Sequence, residues 1–131
     1  MLINSNNVTY LIGPGANLTG AKLKEANLTS ANLTGTDLSG ANLTGADLSN
    51  ANLSGADLTN DSIYGITKLI NANLTNTNLK GAKLTFTDLT GSDLTGSNLT
   101  DALLKNTKGQ PASLPVNWSY SVTNGLKPKG P

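Results

Sequence analysis

Residues 16–35 read Ala-Asn-Leu-Thr-Gly, Ala-Lys-Leu-Lys-Glu, Ala-Asn-Leu-Thr-Ser and Ala-Asn-Leu-Thr-Gly, and this five-residue period decides the fold. We call the central apolar residue position i. Leu occupies it every five residues over 18–58, and Ile63 follows in the same register. After one extra residue the register resumes, again with Leu, over 69–104. The sequence therefore predicts 18 repeats and a one-residue insertion near 64–66.

The five-residue period fits neither an amphipathic helix nor a flat strand. On a helix, successive i positions would rotate by about 140° and spread around the cylinder. On a strand, an odd period swaps faces at each step. Position i−2 is small in nearly every repeat, and position i+2 is mostly Gly or Asn. If the chain turns at i+2, both i−2 and i point inward. Such repeats stack into a solenoid.

These repeats match the pattern A(D/N)LXX, and residues 16 to about 107 resemble the pentapeptide-repeat family. The resemblance implies an all-β fold, a right-handed quadrilateral parallel β-helix with four repeats in each coil. Eighteen repeats would then make about four and a half coils, with short N- and C-terminal caps.

The segments that flank the repeats are expected to cover the open ends of the solenoid, whose backbone edges need partners. We predict an N-terminal cap over 1–15, the repeat array over 16–108, and a C-terminal cap with a loose tail over 109–131. Tyr10–Leu18 resembles the segment that leads family members into their first repeat. Trp118, with Leu114 and Val116, is the expected apolar lid of the last coil.

The composition argues against an enzyme. The chain has no Cys and no His, which removes thiol nucleophiles, imidazole bases and the common metal ligands. We therefore predict no catalytic residue, cofactor, metal or small-molecule substrate. Nine Lys, no Arg and eight acidic residues give a formal net charge of +1, which argues against nucleic-acid binding. Lacking an apolar span and a signal peptide, the sequence predicts no membrane association and a cytoplasmic location.

With one residue inserted, side chains about 20 positions apart would stack on one wall of the solenoid. One wall would carry a two-column polar ladder, and we interpret it as a solvated surface, or alternatively as a water-ordering, ice-binding array. Its members are Asn32, Thr34, Asn52, Ser54, Asn73, Thr75, Asp93 and Thr95. The same register stacks Asp37 with Asp57, and Asp47 with Asp88.

The break in the period is the irregular place in the array. Asp61 there occupies a slot that is elsewhere small, and we expect it to turn outward or to accept backbone N–H bonds. Apolar side chains near the break form a predicted patch: Tyr64, Ile66, Ile70, Phe86, Leu103 and Trp118. Either the C-terminal segment covers this patch, or the patch binds a protein partner or a second copy of the chain.

The leading hypothesis is therefore a non-catalytic structural or protein-interaction β-helix. One alternative comes from the resemblance, because some family members mimic DNA and inhibit type II topoisomerases. The near-neutral charge of this chain argues against that role. The ice-binding ladder is the other alternative.

Overall fold

The computed structural model describes residues 1–5 and 8–129, and all regular structure in these residues is β. It contains two antiparallel hairpins, one at each end: β1 (Leu2–Ser5) with β2 (Val8–Leu11), and β3 (Trp118–Ser121) with β4 (Gly125–Pro128). None of the described residues belongs to a helix long and apolar enough to cross a membrane.

Between the hairpins, the repeats are joined by parallel bridges of a single residue each. Each bridge links the i−1 residues of repeats four apart in the array, so the chain returns to hydrogen-bond with itself every four repeats. The bridges form four ladders, numbered in chain order: ladder 1 is Asn17–Asp37–Asp57–Lys83–Leu103, ladder 2 is Lys22–Asn42–Lys68–Asp88–Lys108, ladder 3 is Asn27–Asp47–Asn73–Asp93–Ser113, and ladder 4 is Asn32–Asn52–Asn78–Asn98.

We call the four repeats at one level a layer. Layers 1 to 4 begin at the repeats of Leu18, Leu38, Leu58 and Leu84, and layer 5 begins at Leu104.

The core is made of leucines at position i with small residues at i−2. Every repeat Leu over 18–58 and 69–104 is buried, and most have no exposed surface. Burying one such side chain contributes roughly 1.5–3 kcal/mol. Ser and Thr at i−2 are also buried. Five of these six hydroxyls donate to a Leu carbonyl, as Thr87 Oγ1 does to Leu58 O at 2.6 Å, whereas Ser97 Oγ has no partner among the described residues. The core is therefore a stack of near-identical apolar layers.

The corners use the left-handed backbone conformation at i+2. At a typical corner, the Ala21 N–H donates to Leu18 O at 3.0 Å, with Gly20 between them at φ +66°. Glycine and asparagine tolerate this conformation, and bulky side chains rarely adopt it. Phe86, at φ +65°, is the exception that stands out.

The predicted one-residue insertion is wrong: six residues are inserted. Bridges within the first half of the array join residues 20 apart, whereas Asp57 pairs with Lys83, 26 residues on. The extra residues are 61–66. Ile63, predicted at position i, is 82% exposed, and Leu69 follows Leu58 in the core. The array therefore has 17 leucine repeats.

The altered register also corrects the predicted stacking of polar side chains. Asn32 and Asn52 share ladder 4 as expected, but Asn73 and Asp93 lie on ladder 3. The eight residues Asn32, Thr34, Asn52, Ser54, Asn73, Thr75, Asp93 and Thr95 therefore belong to two walls. Asp37 does bridge Asp57, whereas Asp47 and Asp88 lie on different ladders. A six-residue insertion shifts each later repeat by one ladder relative to a one-residue insertion.

The two hairpins place similar side chains against the ends of the core. Ile3 and Tyr10 face each other across the first hairpin, and Tyr120 and Leu126 across the second, and all four pack against the core. The Tyr10 hydroxyl accepts a hydrogen bond from the Lys22 N–H at 2.8 Å.

The C-terminal lid differs from the one expected. Leu114 and Trp118 are partly buried against the core, but Val116 is 85% exposed, and the fully enclosed residue is Leu126. The predicted terminal segments 1–15 and 109–131 include Asn6, Asn7, Gly130 and Pro131, which lie outside the described residues.

Candidate functional site

The Asn or Asp at i−1 has a local structural task in the repeats. Its Oδ1 accepts the N–H of residue i+1 in thirteen repeats, at 2.9–3.2 Å. The repeats without this bond carry Lys22, Lys68, Lys83 or Leu103 at i−1, whose side chains cannot accept it. The bond joins the extended part of the repeat to its corner, as in an Asx-turn.

The hydroxyl at i+1 often donates to the same oxygen. Thr59 Oγ1 donates to Asp57 Oδ1 at 2.6 Å, and Thr34 Oγ1 donates to Asn32 Oδ1 at 2.7 Å. These side chains are thus held within their own repeats. Hydroxyl bonds hold the pKa of the carboxyl group below its ordinary value in Asp37, Asp47 and Asp93, where the largest contributions come from Ser39, Ser49 and Thr95 respectively.

The 61–66 insertion forms a closed loop between ladders 1 and 2 in layer 3. Its ends are bonded to each other, with the Asp61 N–H donating to Gly65 O at 2.6 Å and the Gly65 N–H to Asp61 O at 2.9 Å. The Asp61 carboxylate accepts the N–H groups of Ile63 and Tyr64 at 2.9 and 3.0 Å. The expectation that Asp61 accepts backbone N–H bonds is confirmed. The carboxylate fixes the turn that presents Ile63.

Tyr64 attaches the loop to the array. Its ring lies against Gly20 of layer 1, where an added Cβ would overlap the ring. At Gly40 of layer 2, an added Cβ would lie 2.7 Å from Tyr64 Cβ and 2.9 Å from Asp61 Cβ. The loop therefore folds toward the N-terminal end of the array, over two corners that carry no side chain.

Thr67 is the first residue after the loop, and its hydroxyl connects the returning chain to the array. It is fully buried, and its Oγ1 accepts the Gly40 N–H at 2.9 Å while lying 2.9 Å from Thr59 O and 3.1 Å from Leu38 O. One hydroxyl thus joins layers 2 and 3 at the corner where the loop leaves the array. Gly20, Gly40, Asn60, Phe86 and Asn106 occupy position i+2 at this corner in layers 1 to 5, and we call it the loop corner.

A shallow depression of about 430 Å³ lies farther along the loop corner, toward the C-terminus. Phe86, Lys108, Tyr120 and Val122 line it, with Asn106 and Thr123 beside them. The Lys108 Nζ lies 5.8 Å from the centroid of the Phe86 ring, a cation–π distance. Apolar, aromatic and cationic groups therefore meet here at the surface.

The predicted patch divides into two parts along the loop corner. Tyr64 lies in the loop at 58% exposure, and Phe86 lies in the depression at 38% exposure. Ile66 and Ile70 are partly buried, and Trp118 is partly buried against the end of the core. Leu103 is 55% exposed at the end of ladder 1.

Sequence reasoning missed Ile63, Tyr120, Val122 and Lys108 as surface residues of this corner. Ile63 matched the leucine period, so its exposure gave no signal in the sequence. The other three come together only through the return of the C-terminal hairpin. Within residues 1–5 and 8–129, no group of His, Cys, Asp or Glu side chains is arranged to hold a metal ion.

Solved structures of similar proteins include several pentapeptide repeat proteins. Rfr23 from the cyanobacterium Cyanothece 51142 is 31% identical, covering 78% of this chain and 82% of that chain, with a TM-score of 0.39. A pentapeptide repeat protein from the Arabidopsis thaliana thylakoid lumen is 30% identical, covering 74% and 67%, with a TM-score of 0.37. HetL, involved in heterocyst differentiation regulation in Nostoc sp. strain PCC 7120, is 33% identical, covering 70% and 58%, with a TM-score of 0.36.

No curated protein matches the chain. The family model for pentapeptide repeats matches eight copies over 21–60 and 67–108, and the residues between these two ranges are those of the six-residue loop. The match spans more than half of the sequence, and the chain belongs to the pentapeptide-repeat family.

Proposed function

We propose that this chain is a non-catalytic protein-interaction scaffold whose binding surface is the loop corner. In this proposal, four repeats close into each coil of a right-handed quadrilateral β-helix, and 17 repeats make slightly more than four coils. The terminal hairpins cap the coil ends. The 61–66 loop and the depression at Phe86 are then two contact points on one rigid edge.

The observation that carries this proposal is the way the loop is held. Asp61, Tyr64 and Thr67 each fix part of it, yet Ile63 at its tip is 82% exposed. An exposed Ile beside an exposed Tyr is the kind of apolar group that interfaces use.

The backbone at Phe86 supports the same reading. A phenylalanine at φ +65° costs of order 1–2 kcal/mol relative to the glycine found at half of the other corners. Its ring is 38% exposed, so packing of the buried part offsets much of this cost while the rest of the ring stays open to a partner. Strain of this kind persists at sites where the side chain has a task beyond folding.

The test is cross-linking and pull-down from the source cells with three forms of the protein: wild type, Ile63→Asp, and a deletion of 61–66. The deletion joins Asn60 to Thr67 and restores the five-residue period, so the array is expected to fold. Ile63 is exposed, so its substitution should change the unfolding free energy by less than about 0.5 kcal/mol. Both variants should lose the partner that wild type captures.

The matched control is Val116→Asp, because Val116 is also an exposed apolar residue, at 85%, but belongs to the turn before the C-terminal hairpin and not to the loop. It should capture the same partner as wild type. Equal capture by wild type, Ile63→Asp and the deletion would refute the proposal. Equal loss in the Val116 variant would show that general stickiness, rather than the loop corner, is responsible.

The two alternatives gain less support. Two of the three threonine hydroxyls of the expected ice-binding ladder, those of Thr34 and Thr75, donate within their own repeats, and the ladder residues lie on two walls. For a DNA mimic, Asp37 and Asp57 do stack, but Lys83 follows them on the same ladder. A continuous negative field does not develop on that wall.

A further inference from the structure

The wall of ladder 1 changes the sign of its charge halfway along its length. Asp37 and Asp57 occupy layers 2 and 3, Lys83 occupies layer 4, and Lys105 follows Leu104 in layer 5. The layers are spaced by about 4.8 Å, so the acidic and basic halves are each roughly 5–10 Å long. A wall with this pattern is complementary to a second copy of itself in the reverse direction.

We propose that the partner of the loop corner is a second copy of this chain, in an antiparallel dimer with two-fold symmetry that packs ladder 1 against ladder 1. This inference rests on the proposed function, because it names the partner of the same surface. A two-fold axis between layers 3 and 4, perpendicular to the ladder and in the plane of the wall, places Asp57 opposite the second copy's Lys83. It places Asp37 opposite the second copy's layer 5, where ladder 1 ends at Leu103 and Lys105 lies two residues farther along the same repeat.

The same operation brings the loop of each copy to the depression of the other. Tyr64 lies at the level of layers 1 and 2, because it contacts Gly20 and Gly40. Levels 1 and 2 map onto layer 5 and the C-terminal hairpin, where Lys108 and Tyr120 line the depression. Because the axis runs across the wall, the loop corner of one copy meets the loop corner of the other. Charges and shape thus agree on one symmetric arrangement.

The size of the wall sets the expected affinity. The wall is about 20 Å tall and as wide as three or four extended residues. Two such walls in contact would bury roughly 500 Å² in total, and the two loops would bury some further surface. This area lies below the 1,200 Å² or more of stable interfaces. We therefore expect a reversible dimer with a Kd in the range of tens to hundreds of micromolar, weakened by salt because its charge pairs lie at the surface.

Sedimentation velocity over 0.02–1 mM protein tests the proposal. The weight-average mass of wild type should rise from 13.4 kDa toward twice that value, less steeply at 0.5 M salt. Asp57→Lys should weaken association at least tenfold, because it places two lysines opposite each other. The double variant Asp57→Lys with Lys83→Asp should restore association, since symmetry then re-forms both pairs.

Asp47→Lys is the matched control. Asp47 lies in layer 2 on ladder 3, and like Asp57 it accepts an N–H and a hydroxyl from residue i+1 of its own repeat. The two substitutions therefore remove the same local bonds, but on different walls. Lysine already occupies i−1 at Lys22, Lys68 and Lys83, so the repeat accepts it.

A wild-type mass of 13.4 kDa up to 1 mM would refute the dimer, and so would equal weakening by Asp47→Lys and Asp57→Lys. Failure of the double variant to restore association would refute the pairing of Asp57 with Lys83. These failures are separable from failure of the scaffold proposal. A monomer that still loses a captured partner on deletion of 61–66 keeps the scaffold and removes only the second copy as its partner.

Discussion

Gly40→Ala is the substitution that best tests how the loop is attached. At φ +71°, an alanine costs about 1–2 kcal/mol from the left-handed conformation alone. In addition, its Cβ would lie 2.7 Å from Tyr64 Cβ and 2.9 Å from Asp61 Cβ. Both atoms are close to the backbone, so the loop must shift, which costs roughly a further 1–3 kcal/mol. Gly35→Ala provides the control, because Gly35 has φ +64° and open space around its Cβ.

Thermal unfolding followed by circular dichroism measures both variants. For a chain of this length, 1 kcal/mol corresponds to roughly 4 °C in Tm. Gly35→Ala should lower Tm by about 4–8 °C, and Gly40→Ala by about 4–12 °C more. In the protein that lacks 61–66, the two substitutions should become equal, because the colliding atoms are gone. Equal effects in the full chain would refute the placement of Tyr64 on Gly40.

Three further predictions concern stability. Thr67→Val should lower the unfolding free energy, measured by urea titration, by about 1–3 kcal/mol. This loss should exceed that of Thr77→Val, because Thr77 Oγ1 makes one hydrogen bond, to Leu48 O, whereas Thr67 Oγ1 lies within hydrogen-bond distance of three groups. A larger loss for Thr77→Val would contradict the role given to Thr67. Stability should fall as pH drops below about 3.8, the ordinary pKa of Asp, because the folded state holds the pKa of three aspartates lower, and the stability that their charged forms contribute is lost as they become protonated. The triple Asn variant of Asp37, Asp47 and Asp93 should show a flatter dependence of Tm on pH, and an unchanged slope would count against it. Phe86→Asn should change the unfolding free energy by less than about 1 kcal/mol, since relief of the left-handed backbone strain offsets the lost packing of the ring. A loss of 3–5 kcal/mol, as for a core Phe, would instead show that the ring contributes mainly to folding stability.

The sequence predicts the repeat architecture because nearly every repeat has the same residue types at the same positions. Leu at i, a small residue at i−2 and Gly or Asn at i+2 each have a local physical reason that needs no knowledge of distant contacts. The N–H bonds to Asn and Asp at i−1 are equally local.

The length of the insertion could not be predicted in the same way. Ile63 fits the leucine period, and a loop of six residues differs by one from a full repeat, so the register alone cannot distinguish a bulge from an excursion. The paired hydrogen bonds between Asp61 and Gly65 show that the inserted residues leave the array as a loop and do not form a bulge within it. All assignments of side chains to walls beyond residue 66 depend on that difference. The depression at Phe86 depends in addition on the C-terminal hairpin, whose position follows from contacts such as Leu126 N–H to Thr107 Oγ1.

The closure of the loop on itself makes the loop corner a natural point for changes in chain length. Asp61 and Gly65 are hydrogen-bonded to each other, and the five-residue period is undisturbed on both sides of the loop. The pairing of the repeats therefore does not depend on how many residues lie between Asp61 and Gly65. Doubling the length of such a loop adds only about 0.6 kcal/mol of closure entropy. The loop at this corner can therefore change in length while the leucine stack beneath it stays the same. For protein engineering, residues 62–64 are the position at which a foreign binding segment can be inserted without re-registering a single layer.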